Sequence, residues 1–151
     1  MPIEPTPPTT DIEWVGDHHL RPTDVAHLPL FTGVADEQVE WLLSVAEVAN
    51  LQPGDCCFTD GTPSDYMFLA IEGTVQFQIQ SDGMIFYSVE FYFGEVFGVL
   101  PYSRMVTHTG SGIATTAARV MRVHRKEFLP MGSQAPELMT RLVNRLSDRV
   151  R

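Results

Sequence analysis

The sequence predicts a mainly β fold: a jelly roll, or double-stranded β-helix, with short N-terminal helices before it and a long C-terminal helix after it. From Glu47 to His124, short apolar segments alternate with glycine-bearing turns at intervals of roughly ten residues, the signature of a sandwich or barrel. On either side of that region the apolar residues recur at helical spacing instead. At 151 residues the chain is long enough for one good core, and 44% hydrophobic with 19% charged residues excludes wholesale disorder.

The elements follow in order. Residues 1–20 are Pro-rich, acidic and weakly patterned, and are expected to form a flexible tail, with Trp14 able to tack it to the domain. Residues 21–151 form the domain, with the roll over about 47–125 and C-terminal helices over about 126–151. One helical turn is expected at Asp24–His27, before Leu28, Leu30 and Phe31. A better helix runs from Asp36 to Ala46, with Asp36 and Glu37 suited to its first turn and Val39, Leu42, Leu43 and Ala46 on one stripe.

About eight strands are expected between the turn signals Pro53-Gly54-Asp55, Asp60-Gly61-Thr62-Pro63, Glu72-Gly73, Ser81-Asp82-Gly83, Phe93-Gly94 and Gly110–Gly112. The clearest is Thr74–Gln80, where Val75, Phe77 and Ile79 point one way and the polar residues the other. Ser81-Asp82-Gly83 turns it into a partner at Met84–Tyr92, and two more strands follow near Gly112–Ala117 and Arg119–His124. Lys126–Met131 reads as a short helix. Pro136 suits the first turn of a longer one, in which Leu138, Met139, Leu142, Val143, Leu146 and Val150 make an apolar stripe beside Arg141, Arg145 and Arg149. The helical pattern is still running at Arg151, which predicts a helix leading into something further.

Net charge is −9, unevenly spread. Up to Leu100 there are 16 acidic residues and one arginine; from Pro101 onward there are nine basic and three acidic residues. An acidic front half excludes a large nucleic-acid surface there, and the arginines behind suit a solvated C-terminal helix. Cys56 and Cys57 are adjacent, so they point to opposite faces of a strand and make no ordinary disulfide. No metal-ligand spacing links them to His18, His19, His27, His108 or His124, and no metal site is expected. No apolar run reaches the ~20 residues of a bilayer span, and residues 1–10 lack the features of a secretory signal. A cytoplasmic location without membrane association is the expectation.

The motifs of residues 28–151 resemble the cyclic-nucleotide-binding domain of catabolite-activator and Fnr-type regulators. LPLFTGVADEQVEWLL (28–43) is similar to the family's N-terminal helix. LQPGDCCFTDGTPSDYMFLAIEGTVQFQI (51–79), with Gly61, Asp65 and Gly73 in register, is similar to its hallmark strands. GEVFGVL (94–100) stands where the family carries its phosphate-binding cassette. VHRKEFLPM and PELMTRLVNRLSDRVR resemble the last strand, short helix and long C-terminal helix. PYSRM (101–105) and the C-terminal run also resemble a divergent branch at the N-terminus of bacterial sensor proteins, some with a histidine-kinase portion downstream.

The resemblance implies a cyclic nucleotide, cyclic AMP or cyclic GMP, held by a short helix N-terminus after Gly98, by a Glu on its ribose and by an Arg on its phosphate. Here Val99 stands at the Glu position and His108, followed by Thr109, at the Arg position, so both charged contacts are missing. A second register takes Phe93-Gly94-Glu95 as the cassette and Arg104, nine residues beyond Glu95, as the phosphate ligand. The expected ligand residues are therefore Gly98, Val99, Leu100, Arg104, His108 and Thr109.

Three functions compete. The first is a regulatory sensing module that binds a small ligand, a cyclic nucleotide or another anion, and signals through the C-terminal helix. The second is a ligand-free interaction domain that forms a homodimer through Leu138, Leu142, Leu146 and Val150. The third, a metal-dependent β-roll enzyme, lacks the His/His/Glu cluster it needs, and no GxSxG nucleophile motif is present, so no catalytic residues are expected. Without a helix-turn-helix, no direct nucleic-acid binding is expected within the chain.

Overall fold

The computed structural model of the chain describes residues 12–149, apart from the side chains of residue 86 and of residues 146–149. Two short helices, α1 (Pro22–Val25) and α2 (Asp36–Val45), come first. Eight strands follow among the described residues: β1 (Glu47–Leu51), β2 (Cys56–Phe58), β3 (Tyr66–Glu72), β4 (Val75–Ser81), β5 (Met84–Phe91), β6 (Val96–Gly98), β7 (Ser111–Ala114) and β8 (Ala118–His124). A single 3-10 turn (Arg125–Glu127) leads into α3 (Phe128–Gln134) and α4 (Pro136–Arg149). The expected order of helices, strands and helices is the observed one.

The strands form two four-stranded antiparallel sheets, ordered β1-β8-β3-β6 and β2-β7-β4-β5. The first sheet is buried on both faces, and strand alternation divides its side chains between two cores. Met67, Leu69 and Ile71 of β3, Met121 and Val123 of β8 and Val48 of β1 face the helices. Phe68 and Ala70 of β3, Val120 of β8, and Ala49 and Leu51 of β1 face the second sheet and form the inside of the roll. A helix crossover is not needed, because every strand pairing is antiparallel.

The helix-side core joins Val39, Leu42 and Leu43 of α2, Met131 of α3, and Leu138 and Leu142 of α4. Arg141 bolts α4 to the N-terminal segment: its guanidinium donates to the carbonyls of Pro29 (3.2 Å) and Leu30 (3.1 Å) and pairs with Glu137 (3.2 Å). Gly73 permits the β3–β4 turn. It has φ +80°, and a Cβ there would lie 2.3 Å from the Ala117 carbonyl oxygen.

Four expectations change. The first helical turn starts earlier, at Pro22, because Pro sits at its first position and the Asp24 carboxylate accepts the Arg21 backbone N–H at 2.8 Å. The strand expected at Gly112–Ala117 is shorter and shifted, at Ser111–Ala114, with the turn to β8 taking the rest. Residues 12–20 are not a loose tail. Val15 pairs with Val48, the His18 ring bonds the Leu43 carbonyl at 2.9 Å, and Trp14 packs on Phe68. Arg122, paired with Glu47 at 2.9 Å, lies 4.4 Å from the Trp14 ring and 4.1 Å from the Tyr66 ring, so a cation–π sandwich holds the segment to the roll.

The fourth change concerns the dimer stripe. Leu138 and Leu142 are fully buried in the domain's own core, against α2 and α3, and offer nothing to a second copy. The Leu146 side chain and Val150 lie outside the described residues.

Replacing Arg141 with Ala removes charge-assisted bonds to two carbonyls and is expected to lower stability by about 1–3 kcal/mol. Denaturant unfolding of the two proteins side by side measures it; an unchanged midpoint would show that the bolt carries no weight.

Candidate functional site

The segment between β6 and β7 is fastened to the β2–β3 loop by a ladder of hydrogen bonds. Gly61 N–H donates to the His108 carbonyl and His108 N–H to the Thr62 carbonyl, both at 2.8 Å; Ser64 N–H donates to the Val106 carbonyl at 2.9 Å. The Ser64 hydroxyl donates to the Met105 carbonyl (3.1 Å). From below, the Arg125 guanidinium donates to the Ser64 and Met105 carbonyls (3.2 and 3.4 Å), while its backbone N–H bonds the Asp65 carbonyl. These bonds press Met105, His108 and Thr109 against the open side of the roll.

What they close over is a cavity of about 170 Å³, lined by Phe58, Phe77, Phe91, Phe97, Gly98, Met105, His108 and Thr109. Thr109 is exposed and Met105, Phe77 and Phe91 are half-buried, so the cavity reaches solvent. The rings are ordered. Phe58 stacks on the His108 imidazole with centroids 3.9 Å apart, and Phe97 stacks on Phe91 at 5.1 Å and on Phe68 at 5.3 Å.

His108 is the polar group of this lining with a titratable side chain. Burial pushes its pKa below the ordinary 6.5, and the Asp65 carboxylate opposes that only in part. The imidazole is therefore neutral near pH 7. Among the described residues, its ring nitrogens make no hydrogen bond. Cys57, also packed against the roll interior, is pushed up to about 12, chiefly by burial, which keeps it a thiol. Among the described residues, no group of three or more His, Cys, Asp or Glu is placed to hold a metal ion, and no helix is long and apolar enough to cross a membrane.

The six residues expected at the site separate. Gly98, His108 and Thr109 line the cavity. Val99 and Leu100 do not: both are buried, Leu100 belongs to the helix-side core, and the Val99 N–H is spent on the Tyr66 carbonyl at 3.1 Å. Arg104 is exposed and outside the lining. The cassette helix expected after Gly98 is replaced by a turn. Tyr102 takes φ +66° and the Ser103 N–H bonds the Leu100 carbonyl at 3.0 Å, so no helix N-terminus is formed to hold a phosphate. The alternative pairing of Glu95 with Arg104 is not assembled either: Glu95 follows the β5–β6 turn, exposed, and is no part of the lining.

Phe58, Phe91, Phe97 and Met105 were not singled out as site residues by sequence. Phe77 carried a signal, since alternation sets it on the face of Val75, which is fully buried inside the roll. Alternation says which aromatics point inward; it does not say which of them surround a void.

Gly98 is required by geometry. It has φ +83°, and a Cβ would lie 2.6 Å from the Tyr66 carbonyl oxygen and 2.7 Å from the Phe68 ring. Gly98→Ala is expected to cost about 1–3 kcal/mol, read as a lower urea midpoint; an unchanged midpoint would refute the close approach. His108 makes a separate prediction. Its native pKa is depressed, so the unfolded state binds more protons, and stability present above pH 6.5 declines as pH falls below it. Melting curves between about pH 7.5 and about pH 5.5 should show a steeper loss for the natural chain than for His108→Phe. Parallel curves would mean that His108 does not contribute.

No protein-family profile matches the chain, and no curated protein matches it. Solved structures do. The catabolite activator protein of Thermus thermophilus is similar with a TM-score of 0.70 and 24% identity, over 82% of this chain and 58% of that one. The regulatory subunit of a cAMP-independent protein kinase A from Trypanosoma brucei is similar with a TM-score of 0.68 and 17% identity, over 83% of this chain and 45% of that one. A cyclic nucleotide-binding domain from Methylobacillus flagellatus is similar with a TM-score of 0.67 and 20% identity, over 85% of this chain and 75% of that one. The chain thus spans about half the length of the first two. Two antiparallel sheets, flanking helices and these likenesses together give the chain the fold of the cyclic-nucleotide-binding domains.

Proposed function

We propose that the chain is a regulatory sensing module: a small molecule occupies the roll cavity, and the occupied state is passed to α4 and from there to an attached effector, such as a histidine-kinase portion. The observation that carries this reading is the short path at the end of β6. Phe97 and Gly98 line the cavity. Two residues on, Leu100 is buried in the core that also holds Met131, Leu138 and Leu142. A ligand that displaces Phe97 or Gly98 moves a backbone whose next side chains pack under the helices. A well-packed core transmits such a shift rather than absorbing it. The fold likeness to a regulatory subunit and to an activator protein supports the same reading.

Cyclic AMP and cyclic GMP are weakly supported as occupants, because among the described residues neither a carboxylate nor a guanidinium lines the cavity. The competing reading, a ligand-free dimer through α4, loses Leu138 and Leu142 as contact residues.

Hydrogen exchange tests the coupling. With cyclic AMP, cyclic GMP, phenol and indole each supplied in turn, at least one occupant is expected to slow exchange both in β6 and in α4. Leu100→Ala should leave protection in β6 while reducing it in α4. Protection that stops at the roll for every occupant that binds would overturn the sensing reading.

A further inference from the structure

We propose that the ligand of the roll cavity is a small, uncharged, planar aromatic molecule with one hydrogen-bonding group, of the size of phenol or indole, and not a cyclic nucleotide. The proposal rests on the sensing reading for its biological sense, but on the cavity alone for its chemistry.

Size comes first. The cavity measures about 170 Å³. Pockets for drug-sized ligands measure about 300–1,000 Å³, whereas an apolar cavity of about 150 Å³ stays dry and takes benzene. The space matches one ring, or two fused rings with a shift of the half-buried Met105, and a base, a ribose and a phosphate together would have to extend out through its mouth.

Charge comes second. Among the described residues, no Lys, Arg, Asp or Glu lines the cavity. An ionised ligand would give up its hydration without gaining a counter-charge, and a buried charge without a partner is strongly disfavoured. Burial keeps His108 neutral near pH 7, so it does not supply the missing positive charge.

Shape and polarity come third. Four phenylalanines, Phe58, Phe77, Phe91 and Phe97, supply ring faces and edges, and the Met105 thioether adds a polarisable contact that favours aromatic partners. Against this apolar wall stand two polar side chains among the described residues: the exposed Thr109 at the mouth, and the buried His108, held flat on Phe58 with ring nitrogens that make no hydrogen bond among the described residues. A neutral imidazole donates from one nitrogen and accepts at the other. It fits a single hydroxyl or N–H on an otherwise apolar ring, which is the usual division of labour in a small-molecule site.

The test is thermal unfolding and isothermal titration of the whole chain with phenol and indole, using cyclohexanol as a non-aromatic control of similar size, benzoate as an anionic one, and cyclic AMP. The expected result is saturable stabilisation by phenol or indole, at least tenfold weaker binding of cyclohexanol and benzoate, and none of cyclic AMP. Phe77→Trp, which fills the cavity, should weaken aromatic binding at least tenfold. Thr109→Trp at the exposed mouth makes the same prediction should Phe77→Trp fail to fold. His108→Phe should selectively weaken phenol relative to benzene. Cyclohexanol binding as well as phenol, or no stabilisation by either aromatic probe, overturns the proposal. If cyclic AMP binds and the aromatic probes do not, the ligand class falls while the sensing reading stands. If the aromatics bind and α4 exchange does not respond, the ligand class stands and the sensing reading falls.

Discussion

The sheet β1-β8-β3-β6 has no solvent face, and the rest of the molecule is arranged around that constraint. A strand offers side chains alternately to its two sides. In β3 the sequence Met67-Phe68-Leu69-Ala70-Ile71 is apolar throughout, so both sides must be covered. The helices cover one side and the second sheet covers the other. Burial of this kind is the largest favourable contribution to folding, and it needs both coverings at once. The helices are therefore not appendages to a roll that would be complete without them. Arg141, reaching from α4 to the Pro29 and Leu30 carbonyls, ties the two ends of the chain together on the same side.

The same constraint gives the cavity its position. The second sheet, β2-β7-β4-β5, covers the first through Val75 and Ala114, while Phe58, Phe77 and Phe91 meet Phe97 with space left between their rings. Aromatic rings are rigid plates, and Phe58 meets Phe77 at 39° and Phe97 at 44°, angles that leave gaps which flexible side chains would fill. The hydrogen-bond ladder between residues 61–64 and 105–108 then fixes the wall that carries His108. Residues 12–15 close a different part of the roll, where Trp14 packs on Phe68 and lies over Arg122.

The residues that follow β5 are accounted for by the backbone and by packing. Gly98 is held by its left-handed φ and by the approach of the Tyr66 carbonyl, a requirement of the backbone whatever the ligand. Val99 and Leu100, next along the chain, satisfy the packing beneath the helices. The charged groups that a phosphate would need are not supplied by Arg104, which is exposed, or by His108, which is neutral and stacked on a phenylalanine ring. The residues that hold the fold here, Val99 and Leu100, are not the ones that line the cavity, Gly98 apart.

By itself the sequence determined the architecture. Alternation in Val75–Ser81, the stripe of Val39, Leu42 and Leu43, the proline at the start of α4 and the glycine turns are local signals, each set by backbone geometry or by the period of burial, and they place most elements to within a few residues. It left two registers for the stretch that resembles a nucleotide cassette, one with Val99 and His108 at the charged positions and one with Glu95 and Arg104, because residue identity alone does not say which groups meet. Only the tertiary structure decided which apolar faces meet. Leu138 and Leu142 have the same helical spacing whether they face a second copy or their own core, and packing against α2 and α3 decided for the core. Likewise Phe58, Phe77, Phe91 and Phe97 are inward-facing aromatics from four different strands, far apart in the chain. Whether such rings fill a core or enclose a space depends on how two sheets come together, which no single segment encodes.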